Sequence, residues 1–232
     1  MAVEAGFVTS VDLVVGLPGE SLSGFATAIE SLAAVGVHGV SLYVLNRSAR
    51  NAKFLRKVSA LPDILDNYLF FQSGDQMLSR LGYVKSHFTH YARPEDKNLY
   101  FRHRLRGEDL IALGPSADGV LGDLHYRNLD WPDWAAHITD RGGIEGVLRE
   151  TFAEIVARPA TSALMCGEAH AAALCAVGAD ALLARWLGQC LLLPSSDAGL
   201  FYLTGNGSWL VGEMMEAVER FAKRVECGFT TR

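Results

Sequence analysis

Ten residues, Val11 to Glu20, constrain the fold of this chain more than any others. Val11-Asp12-Leu13-Val14-Val15 reads as a buried strand with one acid set among aliphatics. Gly16-Leu17-Pro18-Gly19 ends it in a turn, and Ser21 opens a helix. Strand alternation puts Asp12, Val14 and Gly16 on one face and Val11, Leu13 and Val15 on the other. The branched face is expected under helices, so the Asp12 face should look toward a cavity. A carboxylate in such a strand needs a hydrogen-bonding partner, which a neighbouring backbone, an Arg or a ligand's ribose hydroxyls could supply. Gly16 and Gly19 lack side chains and would let a flat ring approach the backbone. Leu22, Phe25, Ile29 and Leu32 then recur at helical spacing up to Gly36, and Val37 to Leu45 reads as a second strand. Strand, helix, strand at this spacing is a βαβ unit with parallel pairing, which makes the fold class α/β. Ligands of parallel sheets gather at the carboxyl ends of strands, where the Gly16 turn falls. Leu113-Gly114-Pro115-Ser116-Ala117-Asp118-Gly119 reads as a second close-approach loop. Together the two point to a nucleotide-like ligand.

Asn46 to Ser59 is basic and irregular and reads as a loop with a short helix. Leu61-Pro62-Asp63 opens a long helix to about Arg80, with Pro in its first turn. Tyr83 to Phe88 reads as a strand, Ala92 to Glu108 as a surface excursion, and Leu110 to Leu113 as a further apolar strand. Trp131-Pro132-Asp133-Trp134 opens a short helix. Arg141-Gly142-Gly143 marks a boundary, giving expected domains of 1–140 and 141–232. Beyond it come helical segments at Ala163–Val177 and Ala179–Leu187. A hairpin follows (Cys190–Leu193 with Leu200–Thr204), then a last helix to about Arg224. This is a helical, winged-helix-like region, and its few Arg and Lys residues favour a structural cap over DNA readout.

Of 232 residues, 50% are hydrophobic and 20% charged, enough apolar material for a sizeable core. The net charge of -5 argues against a general nucleic-acid binder. No apolar run reaches the roughly 18 residues that span a bilayer, and the N-terminus lacks a basic region before its apolar stretch. A cytoplasmic protein without membrane or nucleic-acid partners is the expectation. Cys166, Cys175, Cys190 and Cys227 fit no metal-ligand spacing and read as buried free thiols.

The segment Asp12–Glu20 resembles the Asp-Leu-Ile-x-Gly-Leu-Pro-Gly-Gln signature of radical S-adenosylmethionine (SAM) enzymes related to oxygen-independent coproporphyrinogen III oxidase. Ser41-Leu42-Tyr43-Val44-Leu45 is similar to that family's next barrel strand, and Asp63–Gly82 to its Pro-Asp…Tyr…Leu…Gly-Tyr helix. Asn98-Leu99-Tyr100 with Asp109–Gly119 resembles its Asn-x-x-Tyr/Trp…Gly-x-Gly-x-Ala loop. Leu203-Thr204-x-x-Gly207 resembles its C-terminal Leu-Thr-x-x-Gly. The five stand in the family's order from about Phe7 to Glu219. The resemblance implies the end of a three-quarter barrel followed by the helical winged-helix-like region. It also implies SAM as cofactor with a 4Fe-4S cluster, and a porphyrin or haem as substrate. The decarboxylating oxidase, the haem-chaperone-like proteins and the anaerobic haem-degrading branch all remain open.

By the same resemblance, Asp12 is the ribose contact and Gly16 lies beside the adenosine. Val44 gives a backbone contact to adenine, and Ala117 and Asp118 lie in the late SAM-lining loop. Asp118 stands where the family has a small or apolar residue, and Ser116 replaces its second Gly. The Cys-x3-Cys-x2-Cys loop that holds the cluster is absent from the sequence. The expectation is therefore the C-terminal part of a radical SAM enzyme, inactive alone. Its alternative is a non-catalytic haem-binding or chaperone-like protein on the same scaffold. Exposed edges of two barrel strands further predict self-association or a missing N-terminal half. His87 and His90 read as surface or second-shell histidines, and Trp131, Trp134 and Trp186 as packing residues. The basic run Arg93, Lys97, Arg102, His103, Arg104 and Arg106 reads as a solvated face, with tetrapyrrole propionates the alternative partner.

Overall fold

The computed structural model describes residues 2–45, 53, 56–58, 61–137 and 143–229. The first strand, β1 (Ser10–Val15), leads through the Gly16–Gly19 turn into α1 (Leu22–Val35). The Ser21 hydroxyl caps α1 by accepting the Gly24 amide, and Gly36, at φ 85°, ends it in the left-handed conformation. The chain then returns as β2 (Gly39–Val44), parallel to β1, with Asp12 opposite Ser41 and Val15 opposite Val44. A second long helix, α2 (Ile64–Arg80), starts from a capping box between Asp63 and Asp66, so Pro62 precedes the cap rather than sitting in the first turn. Next come β3 (Val84–His87) and β4 (His90–Ala92), with β4 antiparallel to both β2 and β3, giving a four-stranded open sheet of order β1-β2-β4-β3. Val15, Phe25, Ile29, Leu42, Phe70 and Leu78 form the core between this sheet and its two helices.

A short helix, α3 (Leu99–Leu105), precedes a second sheet of β5 (Asp118–Leu121), β6 (Leu124–Asn128) and β7 (Ile144–Arg149). Between its last two strands lies α4 (Asp133–His137). β6 and β7 pair on either side of residue 140, so the sheet spans the position expected to be a domain boundary.

The remainder packs around α5 (Phe152–Met165), opened by a capping box of Thr151 and Glu154. Ala153, Ala157, Ala160 and Leu164 of this helix are buried together with Met214, Val218 and Ala222 of α9 (Val211–Phe229). Alanines at this seam let two helices lie close. The remaining elements are β8 (Glu168–His170), α6 (Ala171–Ala176), α7 (Asp180–Gly188), β9 (Leu192–Pro194), β10 (Leu200–Leu203) and α8 (Gly205–Trp209). The three strands form a small sheet of order β8-β10-β9, the wing expected from the hairpin signal. The first core and the helical region meet where Trp209 packs against Tyr68 and Phe71, with ring centroids 5.6 and 5.5 Å apart. Beside them Tyr68 donates to Asn206 and Gln72 to the Gly205 carbonyl.

Several expectations are corrected. Leu110–Leu113 is no buried strand: only Leu110 bridges to Val120, while Ile111 and Leu113 are 75% and 86% exposed. Ala92–Glu108 holds helix α3, and the strands β4 to β8 are not among those expected. β8 breaks the helical segment expected over Ala163–Val177, because α5 ends at Met165 and α6 starts at Ala171. Cys166, Cys175 and Cys190 are exposed rather than buried, the Cys227 side chain lies outside the described residues, and Trp131 is exposed too. β2 offers no open edge, because β4 covers it. The loop expected over Asn46–Ser59 lies largely outside the described residues.

Candidate functional site

Asp12 projects from the middle of β1 on its exposed face, with Val14 also exposed, while Val15 on the other face is fully buried. The alternation expected from the sequence therefore holds. The Asp12 carboxylate has no hydrogen-bond or ion-pair partner among the described residues, so it is open to a ligand's hydroxyls. At the carboxyl end of the strand, Gly16 has φ 84° and its amide donates to the Glu20 carboxylate, which closes the turn. A side chain at Gly16 would overlap the buried Asn67 amide of α2. That space is filled by Asn67 rather than left for a flat ring. Gly19, also at positive φ, has open space beside it and keeps the close approach expected of this turn. Val44 ends β2 opposite Val15, half exposed.

On this same face, beside Asp12, lies a polar cluster that the sequence did not disclose. His90 on β4 is buried, and its two ring nitrogens are both engaged. The Ser41 hydroxyl lies 2.9 Å from Nδ1, and the Asp96 carboxylate lies 2.9 Å from Nε2. Asp96 also accepts from the Ser10 hydroxyl and from the Asn98 amide. Burial pushes the Asp96 carboxyl up, but the hydrogen bonds from Ser10, His90 and Asn98 outweigh it and hold the group below the ordinary carboxylate range. Gly39 makes this arrangement fit, since any side chain there would overlap Asp96 and Ser10. Ser, His and Asp in a row resemble a hydrolytic triad, yet Ser41 is buried and cannot meet a substrate. The cluster is a brace that ties β1, β2 and β4 to the Asp96 turn.

His87, next to this brace, stacks between His90 and Phe101 at centroid distances of 5.3 and 3.8 Å. The Asn98 amide donates to its Nε2 at 3.1 Å, which places the ring proton on Nδ1. Nδ1 is buried and has no partner among the described residues. Burial, with His90 beside it, pushes the His87 pKa down to about 4, so the ring is neutral. Both histidines are thus buried, which removes the surface half of the surface-or-second-shell expectation. The signal that could have found them is the His87-x2-His90 pair on adjacent strands followed by Asp96, a sequence-distant contact that no local period encodes.

Ala117 and Asp118 belong to the second sheet, not to the β1–β2 pair. Asp118 is exposed, near Arg127 at 4.0 Å, and lines a cleft of about 860 Å³ between that sheet and α5. The arginines there are largely matched by acids: Arg127 pairs with Glu145, and Arg158 with Glu150. Ser116 holds φ 58° and donates to Asp130. The structure therefore sets Asp12 at mid-strand and Gly16 and Val44 at the carboxyl end of the same strand pair, and places Ala117 and Asp118 on another sheet.

No family model matches the chain. The chain superposes on coproporphyrinogen III oxidase (HemN) from Escherichia coli, described as a radical SAM enzyme. The TM-score is 0.72, with 20% identity, over 94% of this chain and 56% of that one. Its fold is thus that of part of a radical SAM coproporphyrinogen oxidase, with its sheets open rather than closed. In sequence it is 29% identical over 146 residues to the heme chaperone HemW of Mycobacterium tuberculosis strains CDC 1551 and H37Rv, across 59% of this chain. It spans about a third of those relatives, 36% of their length. The chain is thus similar in fold to HemN and in part of its sequence to HemW, over only part of the length of either.

The residues present do not fit the cluster that such a fold implies. Cys166, Cys175 and Cys190 lie on separate elements of the helical region, and no group of three His, Cys, Asp or Glu suited to a metal occurs among the described residues. They do fit an adenosyl ligand in one respect, the unpartnered Asp12 beside an open glycine turn. No described helix is long and apolar enough to cross a membrane.

Proposed function

We propose that this chain is the C-terminal part of a radical SAM protein that handles a tetrapyrrole, and that by itself it binds ligands without transforming them. The observation that carries the reading is Asp12, an open carboxylate on a parallel strand of a HemN-like fold. Its two oxygens would accept both ribose hydroxyls of SAM, and charge-assisted bonds of this kind are among the stronger ones. Gly19 would leave room at the strand end, and the Val44 backbone would meet the adenine edge. Ala117 and Asp118 belong to the same proposed lining only if a ligand bridges the two sheets. Cleavage of SAM needs a reduced cluster whose cysteines this chain does not assemble, so no radical step is assigned to it.

A second reading, a haem-binding, chaperone-like protein on the same scaffold, is favoured by the name of the 29% identical relative. Separate titrations with SAM and with haem, and an iron assay after anaerobic reconstitution, divide the two. Saturable SAM binding without stoichiometric cluster iron supports the first. Haem uptake without SAM binding supports the second. Binding of neither overturns both, and a stoichiometric cluster overturns the claim that the chain alone lacks the chemistry.

A further inference from the structure

Between α3, the end of α5 and strand β3 lies a cavity of about 390 Å³ that joins the first sheet to the helical region. Three of its features are otherwise unexplained. His87 lines it, only 5% exposed, with the Nδ1 atom that finds no partner among the described residues. A buried donor left without an acceptor costs about 1–3 kcal/mol, so such a group marks a place for a ligand or water. Arg102 stands at the same cavity, and its guanidinium makes no hydrogen bond or ion pair among the described residues. Phe101, Leu105 and Ala163 supply apolar wall.

We propose that this cavity binds a carboxylate carried on an apolar body, with Arg102 pairing with the carboxylate and the His87 ring forming part of the wall beside it. The acid Glu168, which also lines it, lies 3.2 Å from His170 and is drawn toward that ring. Arg106 also lines the cavity but is shared with Glu108 at 3.5 Å, so one unpaired guanidinium beside a neutral imidazole matches one negative charge better than a phosphate dianion, which ordinarily gathers several donors. Cavities where separate parts of a fold meet are common ligand sites, and the volume falls within their usual range. The proposal does not rest on the SAM reading above, and a tetrapyrrole propionate is one of the two carboxylate sources that its test tells apart.

Cys166 is exposed and lines this cavity, whereas Cys175 and Cys190 are exposed elsewhere and do not. The three thiols make an internal footprint on the intact chain, read by mass spectrometry of N-ethylmaleimide labelling with 3-phenylpropionate as the probe. At ten times its Kd the acid should slow Cys166 labelling about tenfold and leave the other two unchanged. The neutral 3-phenylpropionamide and inorganic phosphate should protect far less. Arg102→Gln should weaken the acid's binding about tenfold or more, and because Arg102 is exposed and unpartnered the variant should fold normally. Coproporphyrin tells the sources apart: protection by it too assigns the carboxylate to a tetrapyrrole side chain, and protection by the small acid alone assigns it to a free acid. No selective protection of Cys166, equal protection by the amide or by phosphate, or an Arg102→Gln variant that binds as before would overturn the proposal.

Discussion

Gly39 shows how one missing side chain organises the polar brace. Its Cα faces Asp96, Ser10 and the edge of His90, so Gly39→Ala must either expel Asp96 from its hydrogen bonds or shift β2. Overpacking of this kind costs about 1–3 kcal/mol, and urea denaturation should show a lower midpoint of that size. His87 gives the chain a pH signature. Its folded pKa, about 4, lies below the ordinary 6.5, so the unfolded chain takes up the proton first as pH falls. Stability should therefore decline from about pH 6.5 to about pH 4 by about 3 kcal/mol, and level off for this group below that. Asp96, held below its ordinary value, contributes stability that is present at neutral pH and is lost at more acidic pH, as the solution passes through its folded pKa. Denaturation midpoints measured across this range should be flatter for His87→Gln; an equally steep profile in the variant contradicts the assignment.

Among elements, what could be read in advance was whatever carries a local code. The βαβ unit, the Ser21 and Gly36 caps of α1, the long helix to Arg80 and the wing all follow from period and capping chemistry. α3 was hidden because it buries no residue and begins at Asn98 in the left-handed conformation with no side-chain cap. β7 was hidden because all six of its residues are exposed, so no alternation marks it. The brace and the Arg102 cavity join residues far apart in sequence, and neither has a period to betray it. One edge expectation survives at β1, which pairs with β2 alone in the order β1-β2-β4-β3 and carries the exposed Val14. Unpaired edges of this kind recruit other strands. Sedimentation equilibrium should show mass rising with concentration, and less so for Val14→Lys; a monomer at all concentrations contradicts an active edge.

At the level of the whole molecule, two apolar cores meet at Trp209, set between Tyr68 and Phe71, and at Phe88, which packs on the helical core. Trp209→Ala removes the ring contacts while leaving each core intact. Loss of a large aromatic at a packed junction costs about 3–5 kcal/mol, and calorimetry should resolve two transitions where the native chain has one. A single transition, merely shifted, would mean that the cores are coupled elsewhere.

The whole account turns on an acid poised for a sugar on the exposed face of a parallel strand pair. Isothermal titration of SAM into the chain and into its Asp12→Asn variant measures this directly, because the amide keeps the shape and removes the charge. The predicted result is one-site binding weakened about tenfold or more, the loss of charge-assisted bonds to the ribose. An unchanged affinity in the variant would contradict it.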